Sequence, residues 1–317
     1  MVRAGRTGPD HNTVSRRIHF FMENIDLTQT VTSDTVNMLS AGGIVIISCI
    51  FVLMFIFFKR YRAKFIPLIT GIIGYIVFCF IGYSVLSALV YLIPGIANQS
   101  EQNTEAVTVL FLMLSVLMFT VARIVLTKML QGRYDGPGDV MMLGLGLGMG
   151  DAVMYAFSTF TMIVWCSAIN SSGLAEVFRD FTEADAISTY NDISILFTAP
   201  AIHWILCGIS AVLDIVLNIA LAMVNYGVTD GKLPKYWYAI SAAMNFCVLL
   251  PFKFYDRATF NGTVIPFAIK AVAFAAVIYI VYQVNVKYLD SMLSYNGKNA
   301  PKAGGSHMPK FGKLNQK

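Results

Sequence analysis

The stretch LGLGLGMGDAVMY, residues 143–155, combines a glycine ridge with one carboxylate, Asp151, inside a long apolar run. The glycines stand at alternate positions and form two small-xxx-small pairs: Gly144 with Gly148, and Gly146 with Gly150. Such pairs let neighbouring helix backbones approach closely. A lone acid in apolar surroundings is paired, protonated or functional. The stretch therefore predicts a helix-packing surface that carries one polar group in need of explanation.

The composition places this stretch in a membrane. Of the 317 residues, 56% are hydrophobic and 13% are charged, and the mean hydropathy is +0.65. About 20 apolar residues span the hydrocarbon core as a helix. Seven runs of roughly this length or longer lie at residues 40–58, 65–94, 107–126, 139–168, 193–225, 236–252 and 263–284. Since a helix satisfies its own backbone in lipid, the sequence predicts an all-α, polytopic bundle of about seven spans.

The short loops predict the orientation. Lysine and arginine concentrate in residues 59–64, 127–139 and 229–235 and in the tail after Lys287, and loops of this kind are cytoplasmic. The chain is therefore predicted to run N-out and C-in. Residues 1–39 are expected to be an N-terminal extension, and residues 40–285 the transmembrane domain. Residues 286–317 are expected to be a flexible basic cytoplasmic tail.

The first 21 residues are expected to be disordered or to follow a misassigned start, because Met22 begins a cleaner sequence. The tail and loops account for the basic pI without nucleic acid as a partner. The expected surroundings are a lipid bilayer, and specifically the plasma membrane of a bacterium.

Charged residues inside spans are rare and costly. Arg123 lies near the cytoplasmic end of the third run, and its long side chain is expected to snorkel to the headgroups. Lys270 lies nearer to mid-depth in the seventh run. It is expected to neutralise an acid on another helix, either Asp151 or Asp214, and the pair Asp214–Lys270 is the candidate ion pair.

Three consecutive predicted helices each carry a central polar group: Asp151, His203 and Asn245. Asp214 follows His203 by eleven residues, almost three helical turns, so the two share a face. Lipid cannot solvate such groups, which favours their convergence. The sequence therefore predicts a polar site between the fourth, fifth and sixth helices.

This combination resembles the YhfC-type membrane proteins. The resemblance rests on the glycine-rich fourth helix with its acid, the early histidine of the fifth helix and the polar residue of the sixth. That family consists of intramembrane proteases and is related to the CAAX-prenyl-protease and bacteriocin-processing superfamily. It is more distantly similar to the anterior-pharynx-defective scaffold subunit of γ-secretase, whose GLGFG-like stretch corresponds to GLGLG at residues 144–148.

The resemblance implies a glutamate and a histidine where this chain has Asp151 and Asn245. A neutral carboxamide is a poor zinc ligand, so zinc, with His203 and Asp151 as ligands, is expected only if a metal is bound. Without one, Asp151 is expected to be the general base, and His203 to polarise the scissile carbonyl. Asn245 is expected to complete the oxyanion site.

Three functions follow as expectations. The first is an intramembrane peptidase whose substrate is a membrane protein or a hydrophobic peptide. The second is a noncatalytic homologue that acts as a scaffold or as a receptor for a hydrophobic peptide. The third is a small transporter with Asp151, Asp214 and Lys270 as an ion or proton relay.

Overall fold

The computed structural model describes residues 28–93, 105–134, 136–253 and 259–288, and every secondary-structure element in these ranges is helical. Six helices there are long and apolar enough to cross a membrane. They are α1 (Ser33–Tyr61), α2 (Phe65–Tyr91), α3 (Glu105–Leu130), α4 (Pro137–Ser172), α8 (Ile202–Thr229) and α10 (Phe260–Tyr288). The all-α, polytopic architecture predicted from the apolar runs is thereby confirmed.

Four shorter helices complete the described chain. Three of them, α5 (Leu174–Val177), α6 (Glu183–Ile193) and α7 (Ile195–Thr198), connect α4 to α8. The fourth, α9 (Trp237–Leu249), corresponds to the predicted sixth span and continues as a 3-10 helix over Leu250–Lys253. At 13 residues, α9 is ~20 Å long, which is shorter than the ~30 Å hydrocarbon core.

Local sequence signals set several helix ends. Thr32 caps α1 by accepting a hydrogen bond from the backbone N–H of Thr35, and Arg62 ends the helix in the left-handed conformation, with φ 50°. Pro137 occupies the first turn of α4, where its missing N–H costs nothing. The α4 helix ends at Gly173, whose φ of 82° is readily adopted only by glycine.

The centre of the bundle is α8, which packs against α1, α3, α4, α9 and α10. Its partner α4 also packs against α1 and α2. Large apolar side chains on the outward faces of α1 and α2 are exposed, among them Phe51, Phe55, Ile66, Ile73 and Leu89. Such faces suit lipid contact, and the polar groups of the bundle lie inside it around α8.

The observed bounds differ from the predicted spans mainly at two helices. The first begins at Ser33, before the predicted residue 40. The fifth begins at Ile202 and not at residue 193, because the preceding residues form α7 and then a bend and a turn over residues 199–201. The first 21 residues and the tail 289–317 lie outside the described residues. The seven-span count and the N-out, C-in orientation remain predictions.

Candidate functional site

The glycines of α4 bring two different helices against it. A Cβ on Gly144 would lie 2.6 Å from Cα of Ile219, and one on Gly148 would lie 2.8 Å from Cα of Ile215. These glycines therefore form the contact surface for α8. A Cβ on Gly146 would collide with the backbone oxygen of Leu68, so the second glycine pair faces α2.

Asp151 follows this ridge on α4 and lies beside Tyr75 of α2. The Tyr75 hydroxyl donates a hydrogen bond of 3.4 Å to Oδ1 of Asp151. A Cβ on Gly150 would collide with the Tyr75 ring, so the glycine is what lets this ring reach the carboxylate. Tyr75 also begins a π-helical segment of α2, Tyr75–Gly82, a wider helical form that is frequent at functional sites.

The Asp151 side chain is exposed, although Gly148 and Ala152 beside it on α4 are buried. The Asp151 carboxylate is therefore accessible at its position beside the Tyr75 hydroxyl.

The second intramembrane carboxylate, Asp214 of α8, is neutralised directly. Nζ of Lys270, on α10, lies 2.6 Å from Oδ2 of Asp214 and 2.7 Å from Oγ of Ser210. The Lys270 side chain is only 3% exposed. Asp151 and Asp214 were the two candidate partners of Lys270, and the structure brings Asp214 into contact with it.

Arg123 does not snorkel. Its residue exposure is 0%, and Nη2 donates a hydrogen bond of 2.6 Å to Oδ1 of Asn218 on α8. The prediction that Arg123 snorkels was wrong because α3 lies directly against α8. The guanidinium therefore contacts the Asn218 carboxamide inside the bundle and does not extend to the headgroups. Nε and Nη1 of Arg123 are buried with no hydrogen-bond partner in the described chain.

His203 lies in the first turn of α8 among different partners. Its Nδ1 is 3.3 Å from Oγ1 of Thr263 on α10, and its Nε2 is 3.5 Å from Sγ of Cys207. The contacts of Gly144 with Ile219 and of Gly148 with Ile215 show that α4 and α8 are antiparallel. Asp151 is therefore level with residue 212, about nine residues or ~13 Å along α8 from His203.

Asn245 lies toward the opposite end of α8. Thr229 Oγ1 is 3.0 Å from the hydroxyl of Tyr238, which indicates the approximate register of α9 against α8. Asn245 is seven residues after Tyr238 and is therefore nearer to the level of residue 222 than to that of residue 212. The structure thus places Asp151, His203 and Asn245 at three different depths.

The donors near His203 do not make a complete metal site within the described chain. A catalytic zinc takes about three protein ligands at about 2.0–2.3 Å. His203 and Cys207 provide one nitrogen and one sulfur, and Asp151 lies at another depth. In the ranges that the structure describes, no three His, Cys, Asp or Glu side chains are grouped so that they could hold a metal ion. The described residues therefore do not fit a catalytic zinc.

Several partners were missed from the sequence. Tyr75 is one aromatic residue in an apolar run, and nothing in its spacing indicates Asp151. The pair of Arg123 with Asn218 depends on which helices are neighbours. Ser210 had a signal, because it lies one turn before Asp214 and thus on the same face of α8.

Comparison with known families agrees with this architecture. The model of the family described as YhfC intramembrane metalloprotease matches residues 44–260, which is more than half of the chain. Comparison with curated proteins and with solved structures gives no match. The matched range runs from α1 to the start of α10 and includes the glycine ridge and Asp151. The chain is therefore an integral membrane protein that belongs to the YhfC intramembrane metalloprotease family.

Proposed function

We propose that the chain hydrolyses peptide bonds in hydrophobic segments within the membrane, with Asp151 as the carboxylate that activates water. One contrast carries the proposal. Asp214 is held by Lys270 at 2.6 Å, whereas Asp151 is exposed and its described hydrogen bond is the 3.4 Å contact from Tyr75. Of these two acids, Asp151 is the one that can accept a proton from a water molecule.

The accessibility of the Asp151 carboxylate supports this chemistry. The carboxylate takes one proton from water as the water oxygen attacks the carbonyl carbon of the peptide bond. The same proton then passes to the leaving nitrogen as the C–N bond breaks, so atoms and charges balance. A general base of this kind contributes about 10²–10⁴-fold in rate. The Tyr75 hydroxyl is the described donor at this position, and it either orients the carboxylate or donates to the carbonyl oxygen.

The proposed site contains fewer residues than the site expected from the sequence. His203 and Asn245 lie at other depths, so neither is given a role in the proposed step. Water activation is assigned to the Asp151 carboxylate itself, and bound metal is measured in the test below. The proposed substrate is a hydrophobic peptide or membrane-protein segment, because Asp151 lies on a membrane-spanning helix beside the exposed apolar side chains of Val153 and Met154.

The test uses the purified full chain in lipid nanodiscs with a library of hydrophobic peptides. Wild type is compared with Asp151→Asn, which keeps the size and the hydrogen bonds of the side chain but removes the proton acceptor. Asp180→Asn is the matched control, since Asp180 is a highly exposed carboxylate between α5 and α6. We expect cleavage by wild type and by Asp180→Asn, a loss of at least 100-fold in Asp151→Asn, and similar melting temperatures for all three.

Two results would overturn the proposal. Cleavage by Asp151→Asn at the wild-type rate would show that another group activates the water. Peptide binding without cleavage by the wild type, across the library, would favour the noncatalytic receptor or scaffold. Bound metal is measured by elemental analysis on the same samples, so that a metal-dependent reaction is identified directly.

An ion or proton relay is a second candidate because one observation favours it. Polar side chains follow a single face of α8 along its whole length: His203, Cys207, Ser210, Asp214, Asn218, Asn225 and Thr229. Reconstitution in vesicles with an internal pH dye tests this candidate. Proton flux above that of protein-free vesicles, abolished by Asp214→Asn, would support it, and flux equal to that of protein-free vesicles would exclude a proton relay.

A further inference from the structure

A cluster of buried polar side chains lies between α3, α8 and α9, away from Asp151. We call it the amide cluster and define it as Asn225, Ser241 and Asn245. Their exposures are 0%, 0% and 2%. Both side-chain polar atoms of Asn225, Oγ of Ser241 and Nδ2 of Asn245 are buried without a hydrogen-bond partner in the described chain.

The helix register indicates that these side chains lie at neighbouring levels of α8 and α9. Thr229 Oγ1 contacts the Tyr238 hydroxyl at 3.0 Å and Thr127 Oγ1 of α3 at 3.2 Å. Asn225 lies one turn before Thr229 on the same face of α8. Because α9 runs antiparallel to α8, Ser241, about one turn after Tyr238, comes to the level of Asn225. Asn245 lies about one turn beyond Ser241 on the same face of α9.

The chemistry of the cluster selects the ligand. A buried amide or hydroxyl without a partner costs several kcal/mol in lipid, and the cluster has such atoms on two helices. Its orphan groups include the N–H donors of Asn225 and Asn245 together with the acceptor oxygen of Asn225. A cation would satisfy the oxygens but not the N–H groups. A water molecule, which bonds to about three polar groups by donating and accepting, satisfies both kinds.

We propose that the amide cluster binds ordered water. The cluster forms the middle of a hydrated file, which is a row of water molecules bound by polar side chains along α8. Thr127, Thr229 and Tyr238 form the end of the file at the predicted cytoplasmic side. Arg123 and Asn218 form the other end, with two further unpartnered guanidinium nitrogens. The Asn218 amide donates to the backbone oxygen of Asp214 at 2.9 Å, which joins the file to the Asp214–Lys270 layer.

The spacing of the polar residues on α8 determines where this file runs. Asp214, Asn218, Asn225 and Thr229 are spaced by four, seven and four residues, so they share one face. The seven-residue step is the widest gap, and Asn245 of α9 lies at about its level. The file could supply the water that hydrolysis consumes, and this use of it rests on the proposed function. The binding of water itself does not.

The test measures whether a thiol at the cluster is reached by a small ion that travels through water. The five native cysteines are replaced, and Ser241→Cys is treated with Ag⁺ in nanodiscs. Unreacted thiol is then alkylated with a maleimide after denaturation. The matched control is Ala222→Cys, on the face of α8 that packs against Gly144 and equally buried, with an exposure of 0%. Asn225→Cys probes the cluster from α8 if Ser241→Cys does not fold.

We expect Ag⁺ to react with Ser241→Cys or Asn225→Cys at least ten times faster than with Ala222→Cys, in protein that elutes as wild type in size-exclusion chromatography. Equal rates at cluster and control positions would overturn the proposal. The same labelling in an Asp151→Asn background separates it from the proposed function. If the wild type cleaves no peptide and the cluster cysteine is still labelled fast, the hydrated file is supported and the peptidase assignment is contradicted.

Discussion

The Asp214–Lys270 pair gives the sharpest stability prediction, because both charges lie inside the bundle. The side chains are 19% and 3% exposed, and the two charged atoms are 2.6 Å apart. Removing one partner of a fully buried ion pair costs about 3–5 kcal/mol. Asp214→Asn leaves the Lys270 ammonium with Ser210 Oγ, at 2.7 Å, still accepting a hydrogen bond. Asp214 is also partly exposed, so we expect a cost near the lower bound, about 3 kcal/mol.

A second substitution shows whether this cost comes from the stranded charge. Lys270→Met replaces the ammonium with an apolar side chain of similar length. In the double variant Asp214→Asn/Lys270→Met no charge is left buried. Replacing both members of such a pair is often close to neutral, so we expect the double variant within about 1 kcal/mol of wild type.

The assay is equilibrium unfolding in mixed detergent micelles with increasing dodecyl sulfate, followed by far-UV circular dichroism. The four proteins form a double-mutant cycle, and we expect a coupling free energy of at least about 2 kcal/mol, because Asp214→Asn alone costs about 3 kcal/mol and the double variant at most about 1 kcal/mol. The reasoning would be refuted if Asp214→Asn unfolded within about 0.5 kcal/mol of wild type. It would equally be refuted if adding Lys270→Met to Asp214→Asn restored none of the lost stability.

Two further predictions concern packing and topology. Gly42→Ala should destabilise by about 1–3 kcal/mol through overpacking, because its Cβ would lie 2.7 Å from the backbone oxygen of Trp204. The adjacent Gly43→Ala should be neutral or slightly stabilising, since its Cβ would meet only Thr159 Cγ2, at an ordinary 3.6 Å; similar unfolding curves for the two variants would contradict this. Single cysteines at positions 60 and 180 should react with impermeant reagents from the cytoplasmic and outer sides respectively, and labelling of both from one side would contradict the predicted orientation.

The sequence predicts the helices well because the bilayer leaves few alternatives. A long apolar run must satisfy its own backbone, so the runs that contain α2, α3 and α4 are found close to their observed ends. Pro200 and the short helices before α8 were missed, since an apolar run does not show where a chain turns. The glycine ridge could be interpreted from the sequence because glycine has no side chain, so a neighbouring helix can pack closely at these positions.

The candidate site was harder to predict because pairing depends on helix register. Polar groups on neighbouring helices are expected to converge, yet α8 carries polar side chains along its whole length, so two of the three predicted site residues contact other partners. Asp151 meets Tyr75, and His203 meets Thr263. The sequence offers both Asp151 and Asp214 to Lys270. The observed contact with Asp214 follows from the alignment of α10 with α8, which no local pattern encodes.

The central claim is that a carboxylate at position 151 activates water, and the comparison of Asp151→Glu with Asp151→Asn tests it most directly. Both variants change the side chain, but only glutamate retains the proton acceptor. The measurement is kcat/KM for one hydrophobic peptide that the wild type cleaves, with melting temperatures recorded on the same samples. The account predicts that Asp151→Glu retains measurable cleavage while Asp151→Asn loses about 10²–10⁴-fold. Equal rates for the two variants, in proteins of equal stability, would contradict it.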